Sequence, residues 1–294
     1  MNLSKSPPKQ SLSGAPSRLR FHWCTLLQTM TRTKSGDAEI AYEVIGEGPP
    51  LVLLHAFPAN HEMWLPAAQM LARNRRLVLP DLRAHGDSGA GEGPATMEKH
   101  AADLVRVCDD AGVGRAVFAG VSIGGYTLFE FWRRNRQRVS ALILCDTKAS
   151  ADTPEGRTNR LKSAEDALQR GPEFVVDGLL PKLLGKSTQA LRPDVVAAAR
   201  RMMMKMSAED IAAVQRGMSE RPDSVPTLKT IEVPTLVLVG DEDGLTPVAD
   251  AELMRQNISR CDLSVVAKAG HYAVFEQPKQ AATVIRQFLE TLRD

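Results

Sequence analysis

The stretch Gly120-Val121-Ser122-Ile123-Gly124-Gly125 sets a lone serine between two elements of opposite character. Before it, Ala116-Val117-Phe118-Ala119 is short and wholly apolar, as a strand covered on both faces must be. After it, Tyr126 to Asn135 carries aromatic and apolar residues at helical spacing and ends basic. A G-x-S-x-G between such a strand and such a helix is the sharp turn that exposes a nucleophilic serine. Glycines flank it because the turn leaves no room for neighbouring side chains. The helix N-terminus beneath favours negative charge developing at the serine.

A nucleophilic serine needs an imidazole to take its proton and an acid to hold that imidazole. Thr235 to Val239 reads as a second buried strand, ending in Gly240-Asp241-Glu242-Asp243-Gly244-Leu245-Thr246-Pro247. The strand-like Leu263-Ser264-Val265-Val266 then leads to Ala269-Gly270-His271-Tyr272. Ser122, Asp243 and His271 are the expected triad. Asp241 and Asp146, which follows the strand Ala141 to Cys145, remain competitors for the acid. Of the six histidines only His271 follows the last strand; His22 lies in the N-terminal segment, His61 and His100 read as surface residues, and His85 as a turn residue.

The order Ser, Asp, His, each just past a strand's C-terminal end, resembles that of the α/β-hydrolase superfamily. Pro50-Leu51-Val52-Leu53-Leu54 running into His55-Ala56-Phe57-Pro58 is similar to that family's His-Gly-aromatic-Pro. The resemblance implies an oxyanion hole made by the backbone N–H groups of Phe57 and Ile123. Ala56 stands where glycine is usual, and it would be strained if its φ were positive. Asp81-Leu82-Arg83-Ala84-His85-Gly86-Asp87-Ser88 resembles the family's structural Asp-x-Arg-Gly-His-Gly-x-Ser turn. The likeness runs from Thr33 to Asp294 and, with Glu276-Gln277-Pro278, points towards small carboxylesterases and 3-oxoadipate enol-lactonases.

The fold class expected is therefore α/β, a mostly parallel sheet with helices on both faces. Residues 33–146 and 226–294 form its core, Ala38 to Glu43 beginning the sheet, and Met63 to Ala72 and Met97 to Ala111 are helices. Residues 147–225 lack a strand pattern and are rich in Ala, Arg, Leu and Met, as an inserted helical cap would be. Met202, Met203, Met204 and Met206 are candidates for lining its pocket, though packing of the cap on itself is the simpler role for at least half of them.

Composition narrows the partners. A chain of 294 residues with 43% hydrophobic content can bury one large core. No apolar run approaches a membrane span. Cys24, Cys108, Cys145 and Cys261 are widely spaced, which excludes a disulfide framework or a Cys-rich zinc site and suits a reducing, cytoplasmic setting. No G-x-G-x-x-G follows a strand, and no metal and no cofactor is expected. Residues 1–36 hold six Lys and Arg and no acid; subtracting six from the total of 37 leaves 31 against 35 acidic residues. The basic balance thus belongs to the N-terminal segment and gives no reason to expect nucleic acid. Residues 1–32 read as a disordered extension. Residues 1–29 are expected to add nothing to the core and to lie upstream of a native start at Met30; the competing expectation docks Phe21, Trp23 and Leu26 near the cap.

These features together imply a serine hydrolase that cleaves a small-molecule ester through an acyl-enzyme on Ser122. A lactone substrate is the alternative, followed by perhydrolase or C–C hydrolase chemistry with the same triad and, last, a non-catalytic binding protein. Serine at the elbow argues against the haloalkane dehalogenase and epoxide hydrolase branches, which use aspartate there.

Overall fold

The structure, a computed structural model, describes residues 30–292; the expectations for residues 1–29 lie outside them. Eight strands form one sheet: β1 (Thr31–Ser35), β2 (Ala38–Ile45), β3 (Pro50–Leu54), β4 (Arg76–Pro80), β5 (Ala116–Val121), β6 (Val139–Cys145), β7 (Thr235–Gly240) and β8 (Cys261–Val266). Their order is β1-β2-β4-β3-β5-β6-β7-β8. β2 pairs antiparallel with β1 and β4, and every other pairing is parallel. The helices are α1 (Leu65–Leu71), α2 (Met97–Asp110), α3 (Ile123–Asn135), α4 (Pro154–Arg170), α5 (Pro172–Leu183), α6 (Lys186–Leu191), α7 (Pro193–Met203), α8 (Ala208–Ser219), α9 (Val225–Leu228), α10 (Val248–Asn257), α11 (Ala273–Glu276) and α12 (Pro278–Thr291).

Strand side chains alternate between two cores, as the period of two requires. Val52, Leu54, Phe118, Leu142 and Leu144 pack with α2, α3 and α10, while Leu51, Leu53, Ala119, Ile143 and Leu238 pack with α1 and α12. The central strands are covered on both faces, so they read as continuous apolar runs. Truncating one such side chain, Leu53→Ala, is worth about 2–5 kcal/mol.

One edge corrects the sequence reading. The sheet begins at Thr31, not Ala38, so residues 31 and 32 are strand rather than extension. Thr31-Arg32-Thr33-Lys34-Ser35 has no apolar residue and gives no hydrophobic signal. It is held by its ladder with β2, with Thr33 and Ser35 turned inward.

Between β6 and β7 lie six helices, α4 to α9, and no strand. Their end nearest the sheet is tied down through backbone. Leu183 O accepts from His271 N at 2.9 Å, and the buried carboxylate of Glu276 accepts from Gly185 N at 2.8 Å and Gly270 N at 2.9 Å. Glu242 accepts from Ser187 N at 2.8 Å and from its hydroxyl at 2.6 Å. A Cβ at Gly185 would come within 2.6 Å of Glu242 and 2.7 Å of Gly270 N, so glycine is what permits this approach.

Candidate active site

β5 delivers Ser122 into a conformation that ordinary residues avoid, with φ 54° and ψ −111°. The turn is held from three sides. Ser122 N donates to Cys145 O at 3.0 Å, and Ser122 O accepts from Tyr126 N at 3.1 Å and from the Thr147 hydroxyl at 2.8 Å. A Cβ at Gly124 would stand 2.9 Å from Leu54 Cβ and Leu54 O, so α3 can start this close to β3 only with glycine there. The hydroxyl-bearing residue is 8% exposed and lines a cavity of about 580 Å³. Ile123 opens α3, so the helix itself has no use for its N–H.

His271 and Asp243 meet where the loops after β8 and β7 converge. His271 Nδ1 donates to Asp243 Oδ2 at 2.8 Å, and both side chains are buried. Thr246, which the sequence reading did not single out, donates its hydroxyl to the same oxygen at 2.6 Å. Asp243 Oδ1 accepts from Leu245 N at 2.8 Å and Thr246 N at 3.1 Å. Burial raises the Asp243 carboxyl, but the charge and hydrogen bond of His271 and the Thr246 bonds outweigh it, leaving it below its usual range. No direct hydrogen bond joins Ser122 to His271; both line the same cavity, with Phe57, Tyr126 and Thr246.

The competing acids lie elsewhere. Asp241 is exposed and braces Ala269 N at 3.3 Å. Asp146 is fully buried and accepts from Gly240 N at 2.9 Å and Ala273 N at 3.0 Å, tying the loops that carry Asp243 and His271 together. Burial drives its carboxyl well above the ordinary range, reinforced by nearby Asp243.

Phe57 lines the cavity, and its carbonyl accepts from the Tyr272 hydroxyl at 3.0 Å. Ala56 does not have positive φ, so alanine is unstrained there; the alanine with positive φ is Ala84, at 61°. Of the four methionines, Met202, Met203 and Met206 are buried in packing and none lines the cavity, where Met218 stands instead.

Two histidines also depart from expectation. His61 is buried and donates from Nδ1 to Asp81 Oδ1 at 2.8 Å. His100 is completely buried, because α2 turns that face towards the sheet. Rings of His55 and His85 stand 4.8 Å apart, and those of His85 and His100 6.4 Å. Burial, with the neighbouring His85, pushes His55 down to about 3; burial, with His85 and Arg83 nearby, pushes His100 well below its usual value; burial pushes His85 down to about 4. Apart from a weak interaction with the Ala95 backbone, neither ring nitrogen of His100 has a partner. The Asp81 turn is structural. Its carboxylate receives His61 N and Asp87 N, and Arg83 is held by Asp103.

An open, mostly parallel sheet thus carries a strained serine after β5 and a buried acid–histidine pair after β7 and β8. A family-wide profile of the alpha/beta hydrolase fold matches residues 49–278, and the chain belongs to that family. A thermophilic esterase from Thermogutta terrifontis, solved with malate bound, is 37% identical. It superimposes with a TM-score of 0.87 over 90% of this chain and 100% of its own. The enol-lactonase from Burkholderia xenovorans LB400 is 26% identical, with a TM-score of 0.83 over 88% of this chain and 100% of its own. 3-Oxoadipate enol-lactonase 1 of Acinetobacter baylyi is 24% identical over 83% of this chain and 90% of its own length. Among the described residues, no helix is long and apolar enough to cross a membrane.

Proposed function

We propose that the protein is a serine hydrolase of small-molecule carboxylic esters, acting through an acyl-enzyme on Ser122. The observation that carries this is the buried Asp243–His271 hydrogen bond opening onto the same cavity as Ser122. In this mechanism Ser122 Oγ attacks the ester carbonyl while His271 Nε2 takes its proton, and Asp243 holds Nδ1–H and stabilises the imidazolium. The N–H groups of Phe57 and Ile123 receive the oxyanion, each such donor being worth about 10²–10³ in kcat. His271 then returns the proton to the leaving alcohol. Water, deprotonated by the same imidazole, attacks the acyl carbonyl and frees Ser122.

A lactone is opened by the same steps, its alcohol remaining tethered to the acyl group, and the two enol-lactonase relatives favour that substrate as the second reading. The widely spaced cysteines, Cys108 and Cys145 both buried and unpaired, support a cytoplasmic setting. Fluorophosphonate labelling tests the proposal. The wild type should be labelled at Ser122 and should hydrolyse a chromogenic ester with a burst. Ser122→Ala should lose labelling and turnover while keeping its unfolding temperature. Labelling that survives Ser122→Ala would overturn the assignment.

A further inference from the structure

Every backbone N–H from Gly270 to Ala273 is taken. Gly270 N donates to Glu276 Oε1 at 2.9 Å, His271 N to Leu183 O at 2.9 Å, Tyr272 N to Glu276 Oε1 at 3.3 Å and Ala273 N to Asp146 Oδ2 at 3.0 Å. Both carboxylates are buried, and each also holds a distant piece of chain, Glu276 at Gly185 N and Asp146 at Gly240 N. Successive peptides anchored in this way leave the histidine loop little freedom, so a side chain rooted in it projects from a fixed point. Tyr272 is such a side chain. Its ring is completely buried, and its hydroxyl donates to Phe57 O at 3.0 Å, across a separation of 215 residues in the chain.

The loop after β3 is held less firmly around Phe57 itself. Ala59 N donates to Ala56 O at 2.9 Å, His55 Nδ1 meets that same oxygen at 2.9 Å, and Ala56 N reaches only the sulfur of Met63, at 3.4 Å. Phe57 N–H has no partner among the described residues, as a donor kept for an oxyanion requires. The only partner of Phe57 O among those residues is the Tyr272 hydroxyl. Two soft torsions separate the carbonyl of a residue from its N–H, so pinning the one narrows where the other points. Burial, with Glu276 nearby, raises the Tyr272 phenol well above its usual value, so the hydroxyl keeps its proton and remains a donor.

We propose that Tyr272 is a positioning residue: its hydroxyl aims the Phe57 N–H at the oxygen of the carbonyl under attack, and so ties the oxyanion donor to the loop that carries His271. This rests on the proposed ester hydrolysis at Ser122, with Phe57 as an oxyanion donor. Such a donor acts at about 2.7–3.1 Å from where the charge develops, so a small displacement is felt in the transition state far more than in the bound ester. Acylation and deacylation both pass through an oxyanion, and the Tyr272 bond therefore bears on both steps and leaves substrate binding alone.

The test is Tyr272→Phe, which keeps the ring and removes only the hydroxyl. Its control is Tyr42→Phe on β2, away from the cavity, which removes a hydroxyl bonded to Asp110 Oδ2 at 2.7 Å. With p-nitrophenyl butyrate, Tyr272→Phe should lose about tenfold in kcat, part of the 10²–10³ that complete loss of an oxyanion donor costs, with KM within about twofold. Its affinity for hexyl trifluoromethyl ketone should fall by a similar factor. Ser122 Oγ adds to that ketone's carbonyl carbon, its proton passes to His271, and the carbonyl oxygen becomes an alkoxide on the same donors. Tyr42→Phe should lower Tm while keeping kcat and ketone affinity. A Tyr272→Phe protein that loses Tm alone, or loses no more activity than Tyr42→Phe, overturns the inference. Fluorophosphonate labelling separates the two claims. A wild type labelled at Ser122, with kcat unchanged in Tyr272→Phe, refutes this inference alone; a wild type that is not labelled refutes the hydrolase reading and this role with it.

Discussion

Lowering the pH from 7 to 5 should destabilise the fold through His55, His85 and His100, which the sheet buries in neutral form. With folded values of about 3 for His55 and about 4 for His85, against 6.5 when unfolded, the unfolded chain binds more protons below pH 6.5. Stability is therefore fully present above 6.5 and falls, as pH drops, by about 1.4 kcal/mol per unit per histidine. The fall ends at each folded value. His100 is the cleanest site to perturb, because its ring makes almost no polar contact that a substitution would break. Between pH 7 and 5 its share of the loss reaches about 2 kcal/mol, set by the unfolded value and the assay pH.

His100→Leu, of similar volume and apolar, should lose that share. Asp146 and Glu276, both raised chiefly by burial, titrate with the opposite sign, so the quantity to read is the difference between the two proteins. Thermal unfolding at pH 7 and pH 5 should show the wild type falling further than His100→Leu by about 4 °C, from the usual unfolding entropy of a chain this size. Equal shifts in the two proteins would refute the reasoning. An NMR titration of the wild-type imidazoles checks the same point without a substitution, since the His100 resonance should not move between pH 7 and 5.

Other outcomes are as specific. Asp243→Asn should lower kcat by about 10³–10⁴ through loss of the imidazole tautomer, while Asp241→Asn, whose carboxylate only braces Ala269, should change it little. Steady-state ester kinetics decide between them. Gly185→Ala should lower both Tm and kcat, because its Cβ would press on Glu242 and Gly270 beside His271; an unchanged kcat would mean the helical insertion and the histidine loop are uncoupled. A protein starting at Met30 should match the full chain in Tm and kcat, because residues 1–29 have the composition of an extension; a Tm lower by several degrees would show that they dock.

Local sequence was enough for the alternation of strands and helices, the turn at Ser122 and the histidine after the last strand, because each depends on neighbours within a few residues. Apolar runs mark strands buried on both faces, and glycines mark backbone that must come close to something. The polar edge strand β1 escaped that logic, since its place depends on a ladder with β2 rather than on its own residues. Which acid meets His271 was likewise not a local matter. Asp241 and Asp243 sit on one loop in similar company, and only the fold turns one towards the imidazole and the other towards Ala269.

The same holds for His61 and His100, whose helix positions look solvent-facing until the sheet is packed against them. It holds most of all for the cavity's charge. Lys148, Asp152, Arg160 and Arg221 are scattered over about seventy residues, and no spacing rule links them. The fold of the helices between β6 and β7 over the serine brings these side chains to one place. Long-range packing, not local preference, decides which charges share a partner there and which, like Lys148, have none among the described residues.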